Sequence, residues 1–76
     1  MNKARRAELN RIINTIYELQ SDIDAIKADE EDARDNMPES LQGTERYEAM
    51  DAAVDELDDA LSSIDDVIEH LEGAME

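Results

Sequence analysis

The chain has 76 residues, no cysteine and one histidine, and its 22 acidic against 7 basic side chains give a net charge of −15. This length allows one small domain, and the absence of cysteine excludes disulfide bonds and thiolate metal sites. The negative charge disfavours direct contact with nucleic acid or an anionic membrane and favours basic proteins as partners. So short a chain buries little apolar surface, so we expect its stability to depend on association.

The first predicted element is a long helix over residues 3–36. Its apolar residues recur at alternating steps of three and four, interrupted only by Glu30, which puts them on one face of a helix. Pro38 disfavours helical geometry at the preceding residue and should end this helix near Asn36. The seam expected to face a second helix consists of Leu9, Ile12, Ile16, Leu19, Ile23, Ile26, Ala33 and Met37.

A turn is predicted over residues 37–44, where the chain reads MPESLQGT. Residues 38–41 can form one short helical turn. Gly43 gives the backbone conformational freedom, and Thr44 is a good N-cap for a following helix. A connection this short makes the two helices antiparallel neighbours.

The second predicted helix covers residues 45–75. Its apolar spacing runs through four heptads without a slip, which indicates a coiled-coil seam. The predicted fold is therefore all-α, an antiparallel two-helix hairpin (a coiled coil) forming one domain over residues 1–76. The seam on this helix consists of Tyr47, Met50, Val54, Leu57, Leu61, Ile64, Ile68, Leu71 and Met75.

A further set of apolar and small residues predicts association between hairpins. A broad face of small residues lets a third and a fourth helix approach closely. We therefore expect a homodimer that forms a four-helix bundle; the alternative is a lone hairpin whose alanines merely favour helix formation. The residues expected to extend the seam or form this interface are Ile13, Tyr17, Ala53, Ala60, Val67 and Ala74.

The second helix also carries an acidic stripe. The residue after each seam position is almost always Asp or Glu, which puts the acids about 100° around the helix from the seam. No basic partner is predicted for residues 51–66, whereas the basic N-terminus (Lys3, Arg5, Arg6 and Arg11) should form ion pairs near the end of the second helix. The stripe is a solvated surface, a surface that binds a basic protein or, as the least favoured alternative, a set of acid clusters that bind metal ions. The candidate partner-binding residues are Glu48, Asp51, Asp55, Asp58, Asp59, Asp65, Asp66 and Glu69.

No catalytic or metal-binding constellation is recognisable. Asp22 and Asp24 begin as a calcium loop does, but the glycine at the sixth place is missing and Ala33 stands where the closing Glu belongs. His70 is outward-facing and forms no core Glu-x-x-His arrangement. We expect no enzymatic activity, no bound metal and no cofactor.

The turn and its flanks carry a resemblance. The stretch NMPESLQGTERYE, followed by repeated Asp/Glu–Leu–Ala units, resembles small acidic helical-hairpin proteins of bacteria and their phages, a group with no assigned activity. The likeness covers nearly the whole chain. It implies the hairpin fold and a bacterial or phage origin, and with it a location in the cytoplasm of a bacterial cell.

Two functions remain open at this stage. The first is a non-enzymatic acidic module that binds proteins; its sharper form is a nucleic-acid-mimicking inhibitor of a basic DNA- or RNA-binding host protein, by analogy with acidic phage proteins that imitate DNA. The alternative is a structural coiled-coil assembly module, or an accessory subunit, that acts through its apolar residues.

Overall fold

A computed structural model describes all residues, Met1–Glu76, and shows two long α-helices joined by a short connection. Helix α1 spans Lys3–Asp35, helix α2 spans Glu45–Ala74, and a 3₁₀ helix, Glu39–Leu41, lies between them. The Cα atoms extend over 59 × 15 × 12 Å, so the molecule is a thin rod. The predicted all-α helical hairpin is confirmed.

Side chains cap both helices at their first turns. The Asn2 side-chain oxygen accepts a hydrogen bond from the Arg5 backbone N–H at 2.8 Å, which satisfies a donor that has no partner inside α1. Thr44 does the same for α2, since its hydroxyl oxygen accepts from the Tyr47 N–H at 3.4 Å. Gly43 has a φ of +89°, a conformation that L side chains rarely adopt, and so the turn requires glycine there.

The two helices run antiparallel, as contacts at both ends of the rod show. Near the termini, the Arg6 side chain donates to the Met75 carbonyl oxygen at 3.1 Å. Near the turn, the Arg34 side chain donates to Asp51 at 2.8 Å. The start of each helix therefore lies beside the end of the other.

Helix α2 turns its predicted seam toward α1. All nine seam residues on this helix are buried or half-buried, and Val54 and Ile68 are the most buried of them. The steps of three and four thus identify the buried face of α2 without error.

Helix α1 turns a different face inward from the one its spacing predicted. Leu19 and Ile26 remain 53% and 59% exposed, whereas Ile13 is only 5% exposed. The row of Ile12, Leu19, Ile26 and Ala33 was predicted to lie in the seam; Ile12 is half-buried, but the prediction was wrong for Leu19, Ile26 and Ala33, which are exposed. Leu9, Ile16 and Ile23 stay at the contact, and the row that replaces the predicted one consists of Ile13, Gln20, Lys27 and Arg34.

The resulting core is small. Only Ile13, Val54 and Ile68 are buried, and every other side chain keeps some exposure to solvent. Neither helix combines the length and apolar character needed to cross a membrane. Because so few side chains are buried, most of the chain is surface, and the arrangement of that surface decides what the molecule can bind.

Candidate protein-binding surfaces

Three side-chain hydrogen bonds cross between the helices along one side of the hairpin, and two of them are also ion pairs. They are spaced seven residues apart on each helix, which puts them in a row about 10 Å apart along the axis. We refer to these six side chains as the polar ladder. The bonds run from Gln20 to Asp65 (2.6 Å), from Lys27 to Asp58 (2.9 Å) and from Arg34 to Asp51 (2.8 Å).

The polar ladder explains the orientation of α1. The Lys27 and Arg34 side chains are about four-fifths covered, because their aliphatic stems lie along the seam while their charged ends reach the acids of α2. Lys27 also lies 3.5 Å from Glu31, and Arg34 lies 3.1 Å from Asp35. Turning Leu19 and Ile26 inward instead would separate both cations from Asp58 and Asp51 of α2.

The expectation that residues 51–66 lack basic partners was therefore wrong. Asp51 and Asp58 each accept from a cation of α1, and Asp65 accepts from the amide of Gln20. The three carboxylates remain largely exposed on their outer side. Sequence reasoning missed this arrangement, although Gln20, Lys27 and Arg34 recur at the same seven-residue spacing as their acceptors.

Neighbouring acids, some in the polar ladder and some on α1 itself, raise the pKa of both cations. The hydrogen bond to Asp58 raises the pKa of Lys27 above its ordinary 10.5, and the nearby charges of Asp58 and Glu31 act in the same direction, although partial burial opposes them. The pKa of Arg34 is raised first by its bond to Asp35 and then by its bond to Asp51. Both side chains thus carry fixed positive charges that offset part of the acidity of α2.

The basic N-terminus does not form the ion pairs expected of it. Arg6 donates to the backbone carbonyl of Met75 rather than to a carboxylate, and Arg11 pairs with Glu8 on its own helix at 3.2 Å. No ion pair joins Lys3 or Arg5 to α2. The Arg6 contact is still favourable, because a cation at a helix C-terminus offsets the negative end of the helix dipole.

The remaining candidate acids of α2 have no partner within the chain. They make no side-chain hydrogen bond or ion pair, and all of them are exposed. We call this set the outer acids: Glu48, Asp55, Asp59, Asp66 and Glu69. They follow α2 over roughly 32 Å at 1.5 Å per residue, on the side turned away from the seam. Their charge is available to a partner.

The residues predicted to mediate association fall into three places. Ile13 is buried inside the hairpin seam. Tyr17 lies on the same side as the polar ladder, where it lines a shallow depression together with Gln20 and Leu61. Ala60 and Val67 are exposed on α2, Ala74 is exposed near its end and Ala53 is half-buried. The structure therefore does not bring the predicted set together on one surface.

A continuous apolar surface does lie on the side opposite the polar ladder. The ladder joins one flank of α1 to one flank of α2, so the opposite flanks of the two antiparallel helices also lie side by side. Over residues 12–33 of α1 and 53–74 of α2 these flanking rows contain no charged residue, and one heptad earlier on each helix the rows begin at Arg5 and Arg46. We call this surface the apolar face: Ile12, Leu19, Ile26 and Ala33 of α1 with Ala53, Ala60, Val67 and Ala74 of α2.

The fold and these surfaces define an acidic helical hairpin with two unlike sides, one polar and one apolar. No group of three or more His, Asp or Glu side chains is arranged to hold a metal ion. Comparison with protein-family models, curated proteins and solved structures finds no match to this chain. Its function must therefore be argued from its own surfaces.

Proposed function

We propose that this chain is a non-enzymatic module that binds a basic protein through the outer acids of α2, in the manner of a nucleic-acid mimic. The observation that carries the proposal is that five carboxylates along one helix have no partner within the chain. Like charges three or four residues apart cost a helix about 0.2–0.5 kcal/mol per pair, so Asp55 with Asp59 and Asp66 with Glu69 reduce the stability of α2 rather than add to it.

The polar ladder supports the proposal because it leaves these acids free. Lys27 and Arg34, two of the three basic residues beyond the N-terminal segment, are engaged with Asp58 and Asp51. The third, Arg46, forms no ion pair with the outer acids. A basic surface that normally binds phosphates meets a row of negative charges on a rigid rod, which favours fast, charge-steered association.

The setting proposed for this activity is the cytoplasm of a bacterial cell, in keeping with the resemblance to acidic hairpins of bacteria and their phages. There the partner is a DNA- or RNA-binding protein whose basic groove the hairpin occupies in place of nucleic acid. Such binding weakens as salt screens the charges, since the Debye length falls from about 10 Å at 0.1 M to about 3 Å at 1 M.

Two variants with equal net charge test this proposal. The first neutralises the outer acids: Glu48→Gln, Asp55→Asn, Asp59→Asn, Asp66→Asn and Glu69→Gln. The matched control neutralises five exposed acids elsewhere that also have no partner in the chain: Glu18→Gln, Asp22→Asn, Asp29→Asn, Asp32→Asn and Glu39→Gln. The two variants differ only in where the charge was removed.

The measurement is capture of proteins from a bacterial lysate, elution in salt steps, and displacement of labelled duplex DNA from the purified captured protein. We expect the native chain and the matched control to retain a basic nucleic-acid-binding protein and to displace DNA from it. The outer-acid variant should lose at least about tenfold in affinity, equivalent to 1.4 kcal/mol. Equal binding by the two variants, or capture of no such protein, would contradict the proposal.

A second candidate function is assembly, supported by the exposure of Leu19, Ile26 and Val67. In this function the chain acts as a homodimer, or docks as an accessory subunit on a larger helical protein, through apolar residues rather than acids. Exposed apolar surface that extends along a whole hairpin marks an interaction site more often than a free surface. Assembly and acid-mediated binding use different surfaces of the rod, so one molecule can do both.

A further inference from the structure

We infer that the apolar face is the interface between two copies of this chain, which together form a four-helix bundle and display the outer acids at two separate places. The inference rests on the assembly proposed above and gives it an interface. It is independent of whether the outer acids bind anything, and the two ideas fail by different measurements.

The exposed area of the single chain is the first argument. A folded monomer of 8.6 kDa is expected to expose about 4,700 Å² from the scaling of surface with mass. This chain exposes 5587 Å². The excess, about 900 Å², is close to the ~800 Å² that each partner contributes to a stable protein–protein interface. The surplus is thus comparable to the area that one partner copy would cover.

The shape of the apolar face is the second argument. Its α1 row carries the large residues Ile12, Leu19 and Ile26, whereas its α2 row carries alanine at positions 53, 60 and 74. Both rows repeat every seven residues, over residues 12–33 of α1 and 53–74 of α2. A two-fold arrangement can therefore place the large row of each copy against the small row of the other, as a self-complementary interface requires.

Charge near this face is the third argument, since two copies of an acidic chain repel each other. The α2 row beside the apolar face consists of Ala49, Glu56, Ser63 and His70, so it holds one acid. The outer acids and the polar ladder lie elsewhere on the hairpin. Asp22 and Asp29, beside the α1 row, are the main source of repulsion, and they are exposed to screening by salt.

Repulsion of this kind gives the dimer a distinctive salt dependence. Added salt screens like charges and strengthens apolar association, so the dimer should become tighter as salt rises. Binding of a basic partner by the outer acids should become weaker over the same range. The sign of the salt effect thus separates the two interactions in one preparation.

Leu19→Glu and Tyr17→Glu form a matched pair that tests the interface. The two residues lie two positions apart on α1 and have similar exposure, 53% and 49%, but they lie on opposite sides of the hairpin. Each substitution adds the same charge at an exposed position. Val67→Glu is a second disrupting variant, located on α2, and circular dichroism verifies that each variant remains helical.

Sedimentation equilibrium in about 0.15 M and about 0.5 M NaCl supplies the measurement. We expect the native chain and Tyr17→Glu to dimerise, more tightly at the higher salt, and Leu19→Glu and Val67→Glu to dissociate at least about 100-fold more readily because a carboxylate would be buried in the interface. A native chain that stays monomeric up to millimolar concentration overturns the inference. So does equal disruption by Tyr17→Glu, or a folded Leu19→Glu variant that dimerises like the native chain.

The same variants keep the two proposals distinguishable. A monomeric Leu19→Glu chain that still binds a basic protein in a salt-sensitive way supports both the interface assigned here and the separate role of the outer acids. A native chain that is monomeric yet binds such a protein overturns the dimer alone. A native dimer that captures no basic protein leaves the dimer interface standing and removes the binding function.

Discussion

Helices α1 and α2 carry the same apolar spacing but use it differently. Helix α2 turns every residue of its seam toward α1, while α1 leaves Leu19 and Ile26 in solvent and buries Ile13 instead. The difference lies in what flanks each seam. On α2, one side of the seam is acidic and the other consists mostly of alanine. On α1, the large apolar row of Ile12, Leu19 and Ile26 competes with the row that contains Lys27 and Arg34.

The comparison shows that polar contacts between the two helices can decide which apolar residues become core. Leu9, Ile16 and Ile23 lie between the two competing rows of α1 and face α2 in either case. Rotating α1 by roughly 50° about its axis would bury Leu19 and Ile26 at the cost of the polar ladder. The observed rotation satisfies the ladder and leaves a second apolar surface for another helix to cover.

The largest expected effect comes from truncating the two rows of α1 in turn. Ile13→Ala should lower the free energy of unfolding by about 2–4 kcal/mol, since a residue 5% exposed leaves a cavity in a small core. Ile26→Ala should change it by no more than about 0.5 kcal/mol at concentrations too low for association. Urea denaturation followed by circular dichroism measures both.

If Ile13→Ala fails to fold, Ile13→Val keeps the comparison usable, with an expected loss of about 0.5–1.5 kcal/mol. A larger decrease in the free energy of unfolding for Ile26→Ala than for Ile13→Ala would mean that α1 turns the row of Leu19 and Ile26 toward α2. That outcome would restore the seam predicted from the spacing alone.

A smaller effect is expected from reversing charge in the polar ladder. Lys27→Glu puts a carboxylate beside Asp58 and Glu31, and should lower the melting temperature by less than Ile13→Ala does. The double variant Lys27→Glu with Asp58→Lys should recover part of this loss, because it rebuilds an ion pair across the helices. Thermal melts of the native chain, the two single variants and the double variant form a double-mutant cycle. If the decreases in melting temperature of the single variants simply add in the double variant, residues 27 and 58 do not interact directly.

The smallest effect concerns alkaline pH. The hydrogen bond to Asp58 raises the pKa of Lys27, so the folded chain holds this proton more tightly than the unfolded chain does. The stabilisation is therefore complete below the ordinary value of 10.5 and is lost as pH rises through the higher folded-state value.

We expect the difference in melting temperature between the native chain and Lys27→Met to stay constant from about pH 7 to 9 and to narrow above 10.5. Lys3→Met, at a residue without a side-chain partner, serves as the control and should show no such narrowing. If this difference in melting temperature persists at high pH, Lys27 stabilises the fold through the packing of its aliphatic stem rather than through its charge.

The helices and the turn could be predicted because their causes are local. Pro38 ends the first helix because its ring restricts the backbone of the residue before it. Gly43 supplies the positive φ of the turn. The Thr44 hydroxyl caps α2 by accepting a hydrogen bond from the N–H of Tyr47, three residues further along the chain. The seam of α2 could be predicted because only one of its faces is rich in large apolar residues. Each of these causes can be read from a short stretch of sequence.

The orientation of α1 could not be predicted from its own residues. Its two competing rows both satisfy the spacing of a helix, and the choice between them depends on Asp51, Asp58 and Asp65 of the other helix. The same limitation affected the candidate site. The exposure of the acidic stripe follows from its spacing, but its division into ladder acids and outer acids depends on which cations α1 turns toward it.

The repeat within the polar ladder has a consequence for the position of α2 along the rod. If α2 slid by one heptad, Lys27 would meet Asp65, Arg34 would meet Asp58, and Gln20 would meet Glu72. Every donor would again find an acid, so the ladder fixes the rotation of α1 but not the translation of α2. That translation is fixed by the connection formed by residues 36–44, and cutting the chain there would allow the helices to pair in more than one alignment.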